Sequence, residues 1–189
     1  MRVHVPAEKA AAPQAYVART YAAEIVAAAK VFSQTTYERT KLSLREFEGA
    51  RARTAEINGC QLCQSWRSSR DVPAFLQAVG SVSEQSVADH GPAPDEDFYV
   101  TVSEWRTAPC YSPRERVAIE YAERMGLDPQ GLATDDEFWG RAKALFADDE
   151  IVDLSYCVAA WMGLGRVAHV LGLDDVCAIP TRPRENEAA

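Results

Sequence analysis

The 189-residue chain has no run approaching the roughly eighteen consecutive apolar residues that a membrane-crossing helix needs. Its first twenty residues, MRVHVPAEKAAAPQAYVART, contain no apolar stretch of signal-peptide length. A cytoplasmic location and no membrane partner are therefore expected. Basic residues are in deficit: the formal net charge is −8. A field of that sign repels a phosphate backbone, and the basic clusters are small (Arg45, Arg51 and Arg53; Arg182 and Arg184), so no nucleic-acid partner is expected. There is no G-x-G-x-x-G fingerprint and no phosphate loop, so no cofactor is expected either. Histidine is scarce: His4, His90 and His169 are the only three, and none forms an H-x₃₋₅-H pair. The five cysteines are odd in number, which excludes a complete disulfide framework within one chain.

Much of what is present reads as helix. QAYVARTYAAEIVAAAKVF, residues 14–32, is alanine-rich with apolar residues at helical intervals, and Pro13 suits a first turn. SLREFEGARARTAEIN opens with Ser43 and Glu46 in capping-box spacing and closes at Asn58-Gly59. A further helix is expected to begin near Cys60 and to be interrupted or restarted at Pro73. FYVTV has strand propensity but no strand partner, so the acidic DED before it is read as a helix cap. Helices are also expected in SPRERVAIEYAERM, stopped by Gly126, in TDDEFWGRAKALFA, and in DDEIVDLSYCVAAWMGLGRVAHVLGL, which is apolar enough to be buried. The S-x-R-E opening occurs twice, at Ser43 and at Ser112, as two similar helices of one bundle would show. The expected fold class is all-α, a helical bundle of six to eight helices.

The chemistry concentrates in EINGCQLCQSWRSSR. Cys60 and Cys63 are two residues apart, at the start of a helix. Unpaired backbone N–H groups and the positive end of the helix dipole favour thiolate over thiol there. Three readings compete. Structural zinc needs four ligands, and a single C-x-x-C without paired histidines does not supply them. The cysteines could be small apolar fillers, which suits Cys157 and also Cys110 and Cys177. A redox pair explains the placement best, since residues three apart at a helix start can close and reopen a disulfide with little backbone movement. Glu48 falls beside the apolar stripe of its helix, so it is either paired, with Arg45 or Arg51, or shifted in pKa.

Glu48, followed by Asn58, Gly59, Cys60 and Cys63, resembles the alkylhydroperoxidase D-like branch of the carboxymuconolactone decarboxylase superfamily. That branch shows a glutamate, then N-G-C-x-Y-C, then a histidine four residues after the second cysteine. The resemblance spans roughly residues 40–173 and is specific over 48–63. It implies an all-α fold and homo-oligomers, often trimers or hexamers; a single domain over residues 1–180 is expected, with TRPRENEAA, 181–189, read from its composition as a disordered tail. It also implies a peroxidase in which Cys63 is attacked and Cys60 resolves it, with a hydroperoxide and a thiol or disulfide electron donor as partners. Two departures stand out: Leu62 replaces an aromatic or histidine, and Arg67 occupies the histidine position. Guanidinium stays charged and cannot relay a proton. On a continuous helix Arg67 would lie one turn from Cys63 and hold its thiolate, with Glu48 pairing to Arg67 or taking the proton. Two alternatives remain: a lactone decarboxylase that uses Arg67 to grip a substrate carboxylate, and an oligomeric protein without catalysis.

Overall fold

The computed structural model describes residues 1–81 and 85–174, so Cys177 and the tail expected over 181–189 lie outside the described residues. Ten α-helices follow one another: α1 (Pro13–Thr20), α2 (Ala23–Arg39), α3 (Leu44–Asn58), α4 (Gln61–Ser65), α5 (Ser68–Ala78), α6 (Glu96–Val100), α7 (Pro113–Leu127), α8 (Pro129–Ala133), α9 (Asp136–Leu145) and α10 (Asp148–Val170). Seven of them run eight residues or more, within the expected six to eight; the other three are single five-residue turns. No strand occurs among the described residues, and FYVTV is indeed helical, with Asp95 capping α6.

Helices α3 and α7 form the centre. Both begin with a capping box, Ser43 with Glu46 and Ser112 with Glu115. The repeated S-x-R-E explains more than the caps. Arg45 of α3 donates to Glu115 of α7 at 2.6 Å, and Arg114 of α7 pairs with Glu46 of α3. Farther along, Arg53 donates to Glu123 at 2.7 Å. Pairing at offsets of 70, 68 and 70 residues shows that the two helices run parallel and side by side. Gly49 lets them touch, because a Cβ there would come within 2.9 Å of the Ile119 side chain.

Helix α10 packs across α3, α2 and α7. Its buried face carries Leu154, Cys157, Val158, Trp161 and Met162. Phe47 of α3 meets Trp161 edge to face at 4.6 Å and is fully buried. Removing a side chain of that size from water contributes about 2–3 kcal/mol. The expected burial of α10 holds on one face only. Val152, Tyr156, Val167 and Val170 are exposed, on a stripe that includes the open Gly163. An 18-residue window of this 23-residue helix reaches a mean hydropathy of 1.3, enough by length and composition to cross a membrane, although it serves here as a core helix.

Three boundaries differ from the sequence reading. The segment 14–32 is two helices, broken at Tyr21–Ala22, where Ala22 takes a left-handed conformation (φ 48°). Pro73 lies inside α5 without interrupting it. Gly126 does not stop α7; it sits under Met162, whose Cε would lie 2.4 Å from an added Cβ.

Candidate functional site

The C-terminal end of α3 delivers the site. Gly59 terminates the helix in the left-handed region (φ 66°), where a side chain would be strained. The chain turns at once into α4, with Cys60 as its N-cap. Cys60 and Cys63 are joined as a disulfide, with Cα atoms 5.3 Å apart. The Cys63 N–H points at the Cys60 sulfur at 3.3 Å. The two sulfurs differ in access. Cys60 is fully buried, whereas Cys63 lines a cavity of about 190 Å³ walled by Tyr37, Trp66, Trp161 and Leu164. Gly165 of α10 keeps that wall close, because a Cβ there would lie 3.7 Å from the Cys63 sulfur.

Behind the cysteines lies a buried ion pair. Glu48 is fully buried and Arg51 is 3% exposed. Glu48 receives two hydrogen bonds from Arg51, two from Ser68 (hydroxyl at 2.7 Å and backbone N–H at 3.2 Å) and one from the Tyr99 hydroxyl. Burial pushes the Glu48 pKa up, but the Arg51 charge and these hydrogen bonds outweigh it and hold the carboxyl below its ordinary value. Burial and the charge of Glu48 push Tyr99 up, so its phenol keeps its proton. Of the two partners expected for Glu48 on its own helix, Arg51 is the one; Arg45 is committed to Glu115.

Arg51 also shapes the cysteine helix. Its other N–H groups donate to the carbonyls of Cys63 (2.6 Å) and Trp66 (2.8 Å). A continuous helix would use those carbonyls internally. Helix α4 therefore ends at Ser65, Trp66 is extended, and Arg67 becomes the N-cap of α5. This corrects the placement expected for Arg67. It does not lie one turn along the helix of Cys63, and its salt bridge is not with Glu48. Its guanidinium pairs with Glu96 at 2.9 Å and lies 3.8 Å over the Tyr99 ring. Arg67 thus meets Glu48 only through Tyr99.

Sequence reasoning missed Tyr99 and Trp161, which reach the site from distant segments, and Trp66 and Ser68, which follow Cys63 closely; none carries a motif. Four buried side-chain atoms have no hydrogen-bond partner among the described residues: Asn58 Oδ1, Trp66 Nε1, Trp161 Nε1 and Asp174 Oδ1. Three belong to residues lining the Cys63 cavity. The Trp161 indole leans toward the Tyr37 hydroxyl without a well-formed bond. A larger hollow of about 360 Å³ opens at the N-terminal ends of α3 and α7, but its charged walls are already paired with one another. No cluster of metal-ligating side chains exists among the described residues.

No protein-family model and no curated protein matches this chain. A crystal structure from Agrobacterium tumefaciens does. Its protein is of unknown function and is provisionally described as the antioxidant defence protein AhpD. The two chains are 21% identical, superpose with a TM-score of 0.56, and share 83% of this chain and 92% of the other. This chain has the AhpD-like helical fold. The likeness is one of architecture.

Proposed function

We propose that the chain is a thiol-dependent peroxidase, a disulfide oxidoreductase that reduces hydroperoxides with Cys60 and Cys63. The observation that carries this is the asymmetry of the pair: one sulfur opens on a cavity and its bonded neighbour is sealed. Cys63 is then the attacking thiolate. It takes the distal oxygen of the hydroperoxide, becomes a sulfenic acid, and releases an alcohol. Cys60 displaces water from it and closes the disulfide, which an external dithiol reopens. The Glu48–Arg51 pair acts as a positioning element. Arg51 grips the Cys63 carbonyl, so the pair sets where the sulfur points. Arg67 covers the outer face of Tyr99.

The test is mass spectrometry of the reduced protein with and without cumene hydroperoxide. A disulfide forming one-for-one with peroxide, and abolished in Cys63→Ser, supports the reading. Thiols that survive excess peroxide refute it.

The lactone decarboxylase alternative needs an arginine free to hold a substrate carboxylate. Arg51 and Arg67 are both occupied by carboxylates of the chain itself. Turnover that survived loss of both cysteines would favour it. Neither peroxide reactivity nor carboxylate binding would leave an oligomeric protein without catalysis. The exposed apolar stripe of α10 supports a homo-oligomer, and light scattering tests the trimer or hexamer that the resemblance implies.

A further inference from the structure

Forming and reopening the disulfide moves protons as well as electrons, and the groups around it accept them poorly. Glu48 is saturated with donors and held ionised by Arg51. Arg51 and Arg67 are cations without acceptor capacity. Tyr37 and Tyr99 are driven toward their protonated forms, chiefly by burial. His90 binds the Leu42 carbonyl at the far end of α3. His4 is exposed in the N-terminal segment, where its backbone carbonyl accepts from Tyr21.

The third is placed differently. His169 stands one helical turn after Gly165, the residue that abuts the Cys63 sulfur. Residues four apart on a helix have Cβ atoms about 5–6 Å apart on one face. Its ring lies against Gly59, with Nε2 3.1 Å from where a Cβ would stand, immediately before Cys60. The absence of a side chain at Gly59 makes room for it. Nδ1 faces Asp174 Oδ2 at 3.0 Å, and the same oxygen accepts the backbone N–H of Gln61, immediately after Cys60, at 3.1 Å. Asp174 is 2% exposed, and its other oxygen has no partner among the described residues. A buried carboxylate oxygen without a donor is costly and is retained where it has a task. The ring of His169 is itself half-exposed, which gives the proton a way out to solvent. Arg166, the nearest cation on the same helix, is turned to the Gly126 carbonyl.

We infer that His169, held by Asp174, is the proton acceptor and donor of the Cys60–Cys63 pair. The inference rests on the peroxidase reading for its substrate, but not for its proton chemistry. His169 takes the proton of the Cys63 thiol, directly or through one water, leaving a thiolate beside an imidazolium. The thiolate attacks the hydroperoxide; the O–O bond breaks, an S–O bond forms, and the leaving alkoxide receives the proton back from His169. The Cys60 thiol then attacks the sulfenic acid, giving the S–S bond and water. A dithiol donor supplies the two electrons and two protons that restore both thiols. Asp174 anchors the Nδ1–H tautomer, so that Nε2 is the working nitrogen.

The experiment uses the reduced full-length chain and reads two rates: alkylation of Cys63 by iodoacetamide at neutral pH, and single-turnover disulfide formation with cumene hydroperoxide. In His169→Gln both are expected to fall by about a hundred-fold, the low end of general acid–base contributions. In His169→Ala, free imidazole is expected to restore a large part of the loss. Rescue is a ratio within one variant, so a change in stability does not imitate it. Unchanged alkylation in His169→Gln, or no rescue of His169→Ala, overturns the inference. Alkylation that depends on His169 in a wild-type protein inert to hydroperoxide would sustain the inference and defeat the peroxidase reading.

Discussion

The two ends of helix α3 solve opposite problems. At its N-terminal end, Arg45, Glu46, Arg114 and Glu115 cross-link α3 to α7 in a closed lattice that also captures Glu150 and the Leu145 carbonyl. Charges there are matched, and the hollow beside them is spoken for. At its C-terminal end the polar inventory does not close. The buried polar side-chain atoms without partners among the described residues all belong to that end: Asn58 Oδ1, Trp66 Nε1 and Trp161 Nε1 around the Cys63 cavity, and Asp174 Oδ1 beside the Gly59–Gln61 turn. Each costs roughly 1–3 kcal/mol relative to a satisfied group. One end of the helix is built for stability. The other holds two donors and two acceptors in reserve where a small polar molecule would meet them.

The largest test of this contrast lies at the Glu48–Arg51 pair, where the site leans on the core. Arg51→Ala leaves a buried carboxylate without its cation and is expected to cost about 3–5 kcal/mol, read by urea denaturation. It should also let α4 extend toward Trp66, and reactivity of the cysteines should fall with stability. Next is Gly165→Ala. The new methyl would come 2.6 Å from Asn58 Nδ2, and about 1–3 kcal/mol of strain is expected, with slowed alkylation of Cys63. In the closed lattice, Arg45→Ala removes a partly exposed ion pair and should cost only about 1 kcal/mol, without touching the thiols. The smallest effect should have the opposite sign. Trp66→Phe deletes an unpartnered indole N–H and is expected to leave stability unchanged or to raise it by up to about 1 kcal/mol, while weakening reaction with hydroperoxide. A Trp66→Phe protein that lost several kcal/mol would break the contrast.

Acid sharpens it further. The folded-state pKa of Glu48 lies below its ordinary value, so the unfolded chain takes up the proton first as pH falls. The stability that Glu48 contributes is full above an unfolded carboxylate pKa of about 4.3 and is lost as pH falls toward the lower folded value. Glu48→Gln should therefore flatten the acid limb of a stability–pH curve below about pH 4.3. A limb as steep as that of the wild type would move the acid sensitivity to other carboxylates.

Local signals in the chain were legible where the chemistry is local. The two capping boxes, the Asn58-Gly59 stop, the Asp95 cap and the helical class all follow from neighbouring residues. The S-x-R-E echo pointed to paired helices, although the crossing of their arginines needs the three-dimensional register. The break after Ser65 was not legible. No glycine or proline marks it, since the cause is Arg51, a side chain from another helix that claims the α4 carbonyls. For the same reason Arg67 was expected beside Cys63 and stands instead over Tyr99. His169 and Asp174 carry no motif; they reach the Gly59–Gln61 turn because α10 packs against the end of α3 at Gly165.

The account depends on Cys63 being the sulfur that meets the oxidant while Cys60 waits behind it. The most direct measurement is on Cys60→Ser, reduced, exposed to one equivalent of cumene hydroperoxide in the presence of a sulfenic-acid trap, and mapped by peptide mass spectrometry. The account predicts the trapped adduct on Cys63 in nearly every chain. An adduct absent from Cys63, or found equally on Cys110 and Cys157, would contradict it.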